Sequence, residues 1–116
     1  MKIALFAFNG DPMCFIHVLL NAFDLRSKGH QAAIVLEGSA SGLVKELLEE
    51  ESELPFVPLL RKAQEEGLID CICAACAMKM GSYDAAVKLG FKLCEEMQGH
   101  PSIARYMDEG YSVLTF

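Results

Sequence analysis

The stretch Gly67–Gly81, GLIDCICAACAMKMG, combines signals for a strand and for a helix with three of the chain's five cysteines. Leu68 to Cys73 is an apolar run preceded by a glycine, which is typical of a central strand in a parallel sheet. A short helix is predicted to begin near Ala74 and to break at Gly81. A strand that passes directly into a helix predicts one βα unit of an α/β fold.

Strand and helix signals alternate in the same way on both sides of this stretch. Asp11-Pro12 places an N-cap carboxylate before a proline at the first helical position, so a helix is predicted from there to about Lys28. Its apolar residues recur at spacings of three and four, which predicts one buried face: Phe15, Val18, Leu19, Ala22 and Phe23. The other predicted strands are Lys2–Phe8, Gln31–Leu36, Phe91–Cys94 and Tyr111–Phe116. The other predicted helices run from Ser39 or Ser41 to about Glu50, from Pro55–Pro58 to Glu66, from Ser82 to Leu89 and from Pro101 to Glu109.

This alternation predicts a single domain over residues 1–116, of class α/β: a three-layer α/β/α arrangement with a five-stranded, mainly parallel sheet. In such folds, ligands and chemistry gather outside the carboxyl ends of the strands. Three stretches are therefore expected along one edge of the sheet: Asn9-Gly10-Asp11, Glu37-Gly38-Ser39 and Cys73 to Cys76.

Composition narrows the class of partner. The net charge is −6 and the pI about 4.9, with ten scattered Lys and Arg residues, which argues against nucleic acid and against an anionic membrane surface. The N-terminal apolar run has no small-residue cleavage site, and Met13 to Phe23 is too short to span a bilayer. An odd number of cysteines without an export signal predicts reduced thiols in the cytoplasm rather than a disulfide framework.

The three clustered cysteines are not equivalent. Cys71 lies in mid-strand, where a free cysteine is a common core residue. Cys73 ends the strand, so we expect it at the rim, where the amides of the following helix can stabilise its thiolate. Cys76 lies in the first helical turn, within reach of Cys73 for a disulfide or for sulfur exchange. Lys79 lies three residues beyond Cys76 and either adds positive potential or is solvated.

Other polar residues are candidates for supporting roles at the same edge. Cys14, near the start of the first helix, can face either the core or the rim. Asn9-Gly10 forms the first βα turn and can hold a small anion at a helix N-terminus. We expect Cys94 to pack in the core, and His100, which precedes Pro101, to help cap the last helix.

Three chemistries compete for the clustered thiols. Zinc needs four ligands, and CxCxxC supplies three, with Cys94 or His100 as the fourth. Structural zinc sites usually pair two short-loop knuckles, whereas the chain has one, so we predict neither a metal nor a cofactor. CAAC at a strand–helix junction is the spacing of a thiol-disulfide redox pair, but it comes after two βα units and without tryptophan. The third chemistry is a reactive cysteine that carries sulfur as a persulfide.

The segment Gly67–Gly81, with a cysteine at the strand's end and a glycine eight residues later, resembles the DsrE/DsrF-like family, which includes TusD-like sulfur-relay proteins. The closing strand GYSVLTF (residues 110–116) is also similar to that family. The resemblance implies a small cytoplasmic sulfurtransferase-type subunit that assembles into trimers or hexamers and needs no cofactor. It further implies that Cys73 accepts sulfane sulfur from a donor persulfide protein and relays it to an acceptor thiol. Cys76 corresponds to a second cysteine found in some relatives.

A different class of function fits the same composition. The chain can instead be a non-catalytic oligomeric binding or adaptor protein whose cysteines are mostly core residues. Thiol titration of the native protein separates the two hypotheses, because a sulfur carrier needs a fast-reacting cysteine.

Overall fold

Five parallel strands form the centre of the molecule. The structure is a computed structural model that describes residues 1–116. Its strands are β1 (Lys2–Ala7), β2 (Gln31–Leu36), β3 (Ile69–Cys73), β4 (Leu93–Cys94) and β5 (Tyr111–Thr115). Its α-helices are α1 (Pro12–Ser27), α2 (Phe56–Glu65), α3 (Ala74–Lys79), α4 (Tyr83–Lys88) and α5 (Ile103–Asp108), and the segment Gly38–Leu48 is a 3₁₀ helix.

The strands lie in the order β4-β3-β2-β1-β5, and every neighbouring pair is parallel. This confirms the predicted α/β class and the three-layer arrangement, with a sheet that is parallel throughout. Parallel neighbours bring all five carboxyl ends to one edge. The residues that follow β1, β2 and β3 are therefore brought together although they are far apart in the chain.

The two faces of the sheet are covered unequally. One face carries a core of 22 buried residues under α1, α2 and the 3₁₀ helix, whereas the other carries six, packed mainly around Tyr106 of α5. Successive side chains of a strand point to opposite faces of the sheet, so Ile72 lies in the large core and Cys71 in the small one. The cysteines of β3 lie on the face that a single short helix covers.

The first helix forms as its sequence predicts. The Asp11 carboxylate accepts hydrogen bonds from the backbone N–H groups of Met13, at 2.8 Å, and Cys14, at 3.4 Å, while Pro12 occupies the first turn. The predicted apolar face is buried at Phe15, Val18, Leu19 and Ala22.

The segment after β2 differs from the predicted α-helix. Neither Ser39 nor Ser41 caps a helix, because both hydroxyls have other partners. Ser39 Oγ donates to the Phe8 carbonyl and accepts from the Gly10 N–H, and Ser41 Oγ donates to the Gly38 carbonyl. The two bonds of Ser39 tie the segment to the loop after β1, and the segment winds as a 3₁₀ helix.

The C-terminal third differs in smaller ways. β4 is two residues long rather than four, and α5 begins at Ile103 rather than at Pro101. Its cap is Ser102, whose hydroxyl accepts from the Arg105 N–H at 3.2 Å. The expectation that His100 caps this helix is wrong, because its imidazole lies against Cys73 instead.

Among the helices, none has the length and apolarity needed to cross a bilayer.

Candidate functional site

The predicted meeting of three loops at the carboxyl edge is present. The Gly10 N–H donates to Ser39 Oγ at 2.8 Å, which joins the loops after β1 and β2. A Cβ at Gly10 would stand 2.7 Å from the Ser39 carbonyl oxygen, so this close approach requires glycine. Glu37 directly follows β2 and Cys73 ends β3, which brings an acidic side chain beside the predicted reactive thiol.

Cys73 lies where β3 passes into α3. Its side chain is fully buried, and its Sγ accepts a hydrogen bond from the Cys76 N–H at 3.4 Å, so the thiol itself caps α3. The same sulfur lies 3.1 Å from His100 Nδ1 and 3.6 Å from the Gly99 carbonyl oxygen. One amide, one imidazole and one carbonyl thus surround the thiol.

His100 reaches this thiol from the loop between β4 and α5. The Ala75 N–H donates to the Gly99 carbonyl at 2.9 Å, which fastens that loop to the start of α3. Glu37 Oε1 lies 3.9 Å from the same Nδ1 atom that faces Cys73. The carboxylate and the thiol therefore share one ring nitrogen, unlike a catalytic triad, in which the acid holds the opposite nitrogen.

Burial is the largest influence on the pKa values of Cys73 and Glu37. It raises the pKa of the Cys73 thiol to about 12, and the hydrogen bond from the Cys76 amide offsets it only in part. Burial also raises the pKa of Glu37, against the lowering influence of His100. Helix amides were expected to favour a thiolate at Cys73, but this expectation neglected desolvation, which is the larger effect.

A cavity of about 510 Å³ opens beside the thiols. Cys76, His100 and Lys79 line it together with Ser39 and Met80. Cys76 is half-buried and Cys73 fully buried, so a molecule in the cavity meets the Cys76 thiol first. Lys79 is exposed at the wall of the cavity, which agrees with either predicted role, a source of positive potential or a solvated side chain.

The remaining predicted site residues lie further out. Cys14 is exposed on α1 and does not belong to the cluster. Asn9 accepts the Asp11 N–H at 2.8 Å, which is a local turn contact, and Gly10 acts through its contact with Ser39. Glu37 is a site residue that sequence reasoning did not single out, although its position directly after a strand at the carboxyl edge was a usable signal.

Cys71 and Cys94 are both buried, as predicted, but they do not remain separate thiols. Their sulfur atoms are paired as a disulfide between β3 and β4, with Cα atoms 5.8 Å apart, within the usual range for a disulfide. The expectation of reduced cysteines throughout therefore fails for this pair. Its basis was the odd number of cysteines, which carries no information on which strands are neighbours.

The fold and this edge define an all-parallel α/β protein with a thiol, imidazole and carboxylate cluster at the carboxyl ends of its strands. The chain is 33% identical over 99 residues to the uncharacterized protein MJ0733 of Methanocaldococcus jannaschii, covering 85% of this chain and 77% of that protein. It therefore belongs to the same family as MJ0733. An uncharacterized protein of Archaeoglobus fulgidus is 51% identical over 37 residues, which is 32% of this chain and 100% of that protein.

A solved structure has the same fold. The conserved protein of unknown function BT1422 from Bacteroides thetaiotaomicron superposes with a TM-score of 0.70, covering 99% of this chain and 94% of its own. The two sequences are 16% identical, so the likeness concerns the fold alone. No model of a known protein family matches the chain.

Proposed function

We propose that the protein is a small cytoplasmic sulfur carrier of the sulfurtransferase type, akin to the DsrE/DsrF-like relay proteins. It takes sulfane sulfur from a donor persulfide and passes it to an acceptor thiol. The observation that carries the proposal is the proximity of an accessible thiol, Cys76, which lines a cavity, to a buried thiol, Cys73. The two sulfur atoms and the His100 ring nitrogen all lie within 4.8 Å of one another.

The two thiols differ in burial, and we assign them different roles for that reason. Cys76 faces the cavity, so its thiolate attacks the outer sulfur of the donor persulfide, and the donor thiolate leaves. The Cys73 thiol then gives its proton to His100 Nδ1 and attacks the outer sulfur on Cys76. The persulfide is now on Cys73, Cys76 is again a thiolate, and no electrons have left the pair.

Storage on Cys73 protects the sulfur. The side chain has no exposed surface, so the persulfide is shielded from solvent until an acceptor engages the site. Return to Cys76 presents it at the cavity, where the acceptor thiolate removes the outer sulfur. If Cys73 instead attacks the inner sulfur of the Cys76 persulfide, the products are a Cys73–Cys76 disulfide and hydrosulfide.

Mass mapping after sulfur loading tests this function. The reduced, chelator-treated protein is incubated with inorganic polysulfide, and peptides are searched for the mass of one added sulfur atom. We expect added sulfur on Cys73 and Cys76, almost none in Cys76→Ser within the time that the parent protein needs to load, and a short-lived load on Cys76 in Cys73→Ser. Cys14→Ser is the matched control and should load fully. Unchanged loading of the Cys73→Ser/Cys76→Ser double variant would refute the carrier function.

The same measurement separates the alternative functions. A thiol-disulfide redox protein would form the Cys73–Cys76 disulfide while retaining no sulfur on either residue. A non-catalytic adaptor would show no preference for these thiols over Cys14, which is exposed.

Assembly into a homo-oligomer, a trimer or a hexamer, is part of the proposal. β5 is an edge strand without charged residues, and apolar side chains are exposed on and near it, among them Leu114, Phe116 and Met107. Light scattering on the purified protein measures the assembly directly, and a monomer at all concentrations would contradict it.

A further inference from the structure

Four side chains of metal-binding type converge at the carboxyl edge. They are Glu37, Cys73, Cys76 and His100, and their ligand atoms all lie within 4.8 Å of one another. They come from the end of β2, the end of β3, the first turn of α3 and the loop before α5. The topology of the sheet, rather than a local sequence motif, brings them together.

We infer that these four residues form a zinc site, with two thiolate sulfurs, one imidazole nitrogen and one carboxylate oxygen. Zinc binds such donors at about 2.0–2.3 Å with tetrahedral geometry, which sets neighbouring ligand atoms about 3.3–3.8 Å apart. His100 Nδ1 lies 3.1 Å from Cys73 Sγ and 3.9 Å from Glu37 Oε1. Shifts of a few tenths of an ångström bring these two separations to those of a zinc centre.

The backbone already holds the ligands in place. The Glu37 N–H donates to the Ala7 carbonyl at 2.8 Å, which fixes the end of β2 against β1. The bond from the Ala75 N–H to the Gly99 carbonyl fixes the residue before His100 against α3. Zinc would thus bind ligands that the folded chain has already positioned, and the cavity at Cys76 and His100 gives it a path from solvent.

The donor set selects the metal. Two thiolates with an imidazole favour zinc over magnesium or calcium, which prefer oxygen ligands. Binding releases the two thiol protons to solvent and transfers no electrons. Two thiolates and a carboxylate next to each other carry three negative charges, which the divalent cation largely offsets. Because the protein supplies all four ligands, the site is closed and of structural type.

This inference needs only the ligand geometry and holds whether or not the protein carries sulfur. Zinc and sulfane sulfur would use the same two thiols, so they exclude one another at this site. Bound zinc would tie β2, α3 and the loop before α5 together and would prevent the loading of Cys76.

Cobalt(II) replaces zinc as a spectroscopic probe. The whole protein, reduced with a phosphine and freed of metal with a chelator, is titrated with Co²⁺ and then with Zn²⁺. We expect one Co²⁺ per chain, the intense visible bands of tetrahedral cobalt and a thiolate-to-cobalt charge-transfer band, all removed by one equivalent of Zn²⁺. Absence of stoichiometric binding, or only the weak bands of octahedral cobalt, would overturn the inference.

Variants assign the ligands. Cys76→Ser should lower the charge-transfer band to about half, since one of two thiolates is lost, and Cys73→Ser should do the same. His100→Ala and Glu37→Gln should weaken binding at least about tenfold. Cys14→Ser, His17→Ala and Glu49→Gln are matched controls and should bind as the parent protein does. Cys76 is half-buried, so its variant keeps the test valid if the buried Cys73→Ser variant does not fold.

Failure of this inference is distinguishable from failure of the carrier function. A protein that loads sulfane sulfur in chelator but binds no cobalt retains the carrier function and has no zinc site. A protein that binds one cobalt through both thiolates but takes up no sulfur has the zinc site alone.

Discussion

Two cysteine pairs share strand β3 and differ in almost everything else. Cys71 and Cys73 are two residues apart, so their side chains point to the same face of the sheet. Cys71 is paired with Cys94 in the interior, whereas Cys73 is accompanied by Cys76 at the edge. Two residues along the same strand thus separate a disulfide-bonded cysteine, Cys71, from a cysteine in the candidate reactive site, Cys73.

The surroundings of the two pairs explain the difference. Cys71 Sγ lies 3.4 Å from the Tyr106 hydroxyl, which also donates to the Asp70 carboxylate, and this packing closes the space around the sulfur. Cys73 stands where the chain leaves the sheet, and its neighbours are a half-exposed imidazole and an acidic side chain. Position relative to the carboxyl edge therefore decides whether a thiol of β3 is paired in the interior or lies beside Cys76 and His100.

The largest expected effect separates the pairs by function. Cys76→Ser should reduce the rate of sulfane-sulfur loading on the order of 100-fold or more, because the variant lacks the nucleophile that faces the cavity. The double variant Cys71→Ala/Cys94→Ala should load at the parent rate. Quench-flow sampling with peptide mass mapping measures both rates. Equal losses of loading rate in the two variants would show that the edge pair has no special role in sulfur loading.

For stability, the interior pair Cys71–Cys94 should matter more than the edge pair Cys73 and Cys76. Cys71→Ala/Cys94→Ala should lower the free energy of unfolding by about 2–4 kcal/mol, since the disulfide between β3 and β4 constrains the unfolded chain. Cys73→Ser/Cys76→Ser in metal-free protein should lower it by less. Urea denaturation followed by circular dichroism gives both values. If the edge pair proves the more stabilising one, the structural role has been assigned to the wrong cysteines.

A third, smaller effect tests the packing around the interior pair. Tyr106→Phe should cost about 1 kcal/mol of unfolding free energy, because the hydroxyl's hydrogen bond to the Asp70 carboxylate is lost from a buried position. Sulfur loading should not change. The same urea titration and loading assay apply, with Tyr83→Phe as the control on a half-buried tyrosine. A loading defect in Tyr106→Phe would show that the two pairs are coupled through β3.

The smallest expected effect concerns the charge at the edge. Lys79→Ala should slow loading by less than about fivefold, since an exposed cation contributes at most about 1 kcal/mol to holding an anionic persulfide. Lys88→Ala, on the next helix, is the matched control. Raising the salt concentration should reduce the difference between Lys79→Ala and the parent, and a difference that survives high salt would contradict an electrostatic role.

The start of α1 and the strand–helix unit at Cys73 were predictable because both depend on local sequence. Asp11-Pro12 begins α1 as predicted, and the apolar run before Cys73 is a strand that leads into a helix. The contacts of Ser39 and His100 were not predictable, because their partners lie far away in the chain: Gly10 and Phe8 for Ser39, and Cys73 for His100. Glu37 lay within a predicted edge segment, but its approach to His100 depends on the loop from Gly99 docking on α3.

Strand and helix periodicities are local properties of the chain, so the amino-acid sequence alone predicts an α/β sheet in which β3 ends at Cys73 and Cys76 follows in the first turn of α3. Which cysteines become partners depends instead on contacts between elements that are distant in the chain. Strand order placed Cys94 beside Cys71, and the docked loop placed His100 beside Cys73. The cluster of three thiols in Gly67–Gly81 is therefore divided between two pairs by burial and by contacts that span the chain.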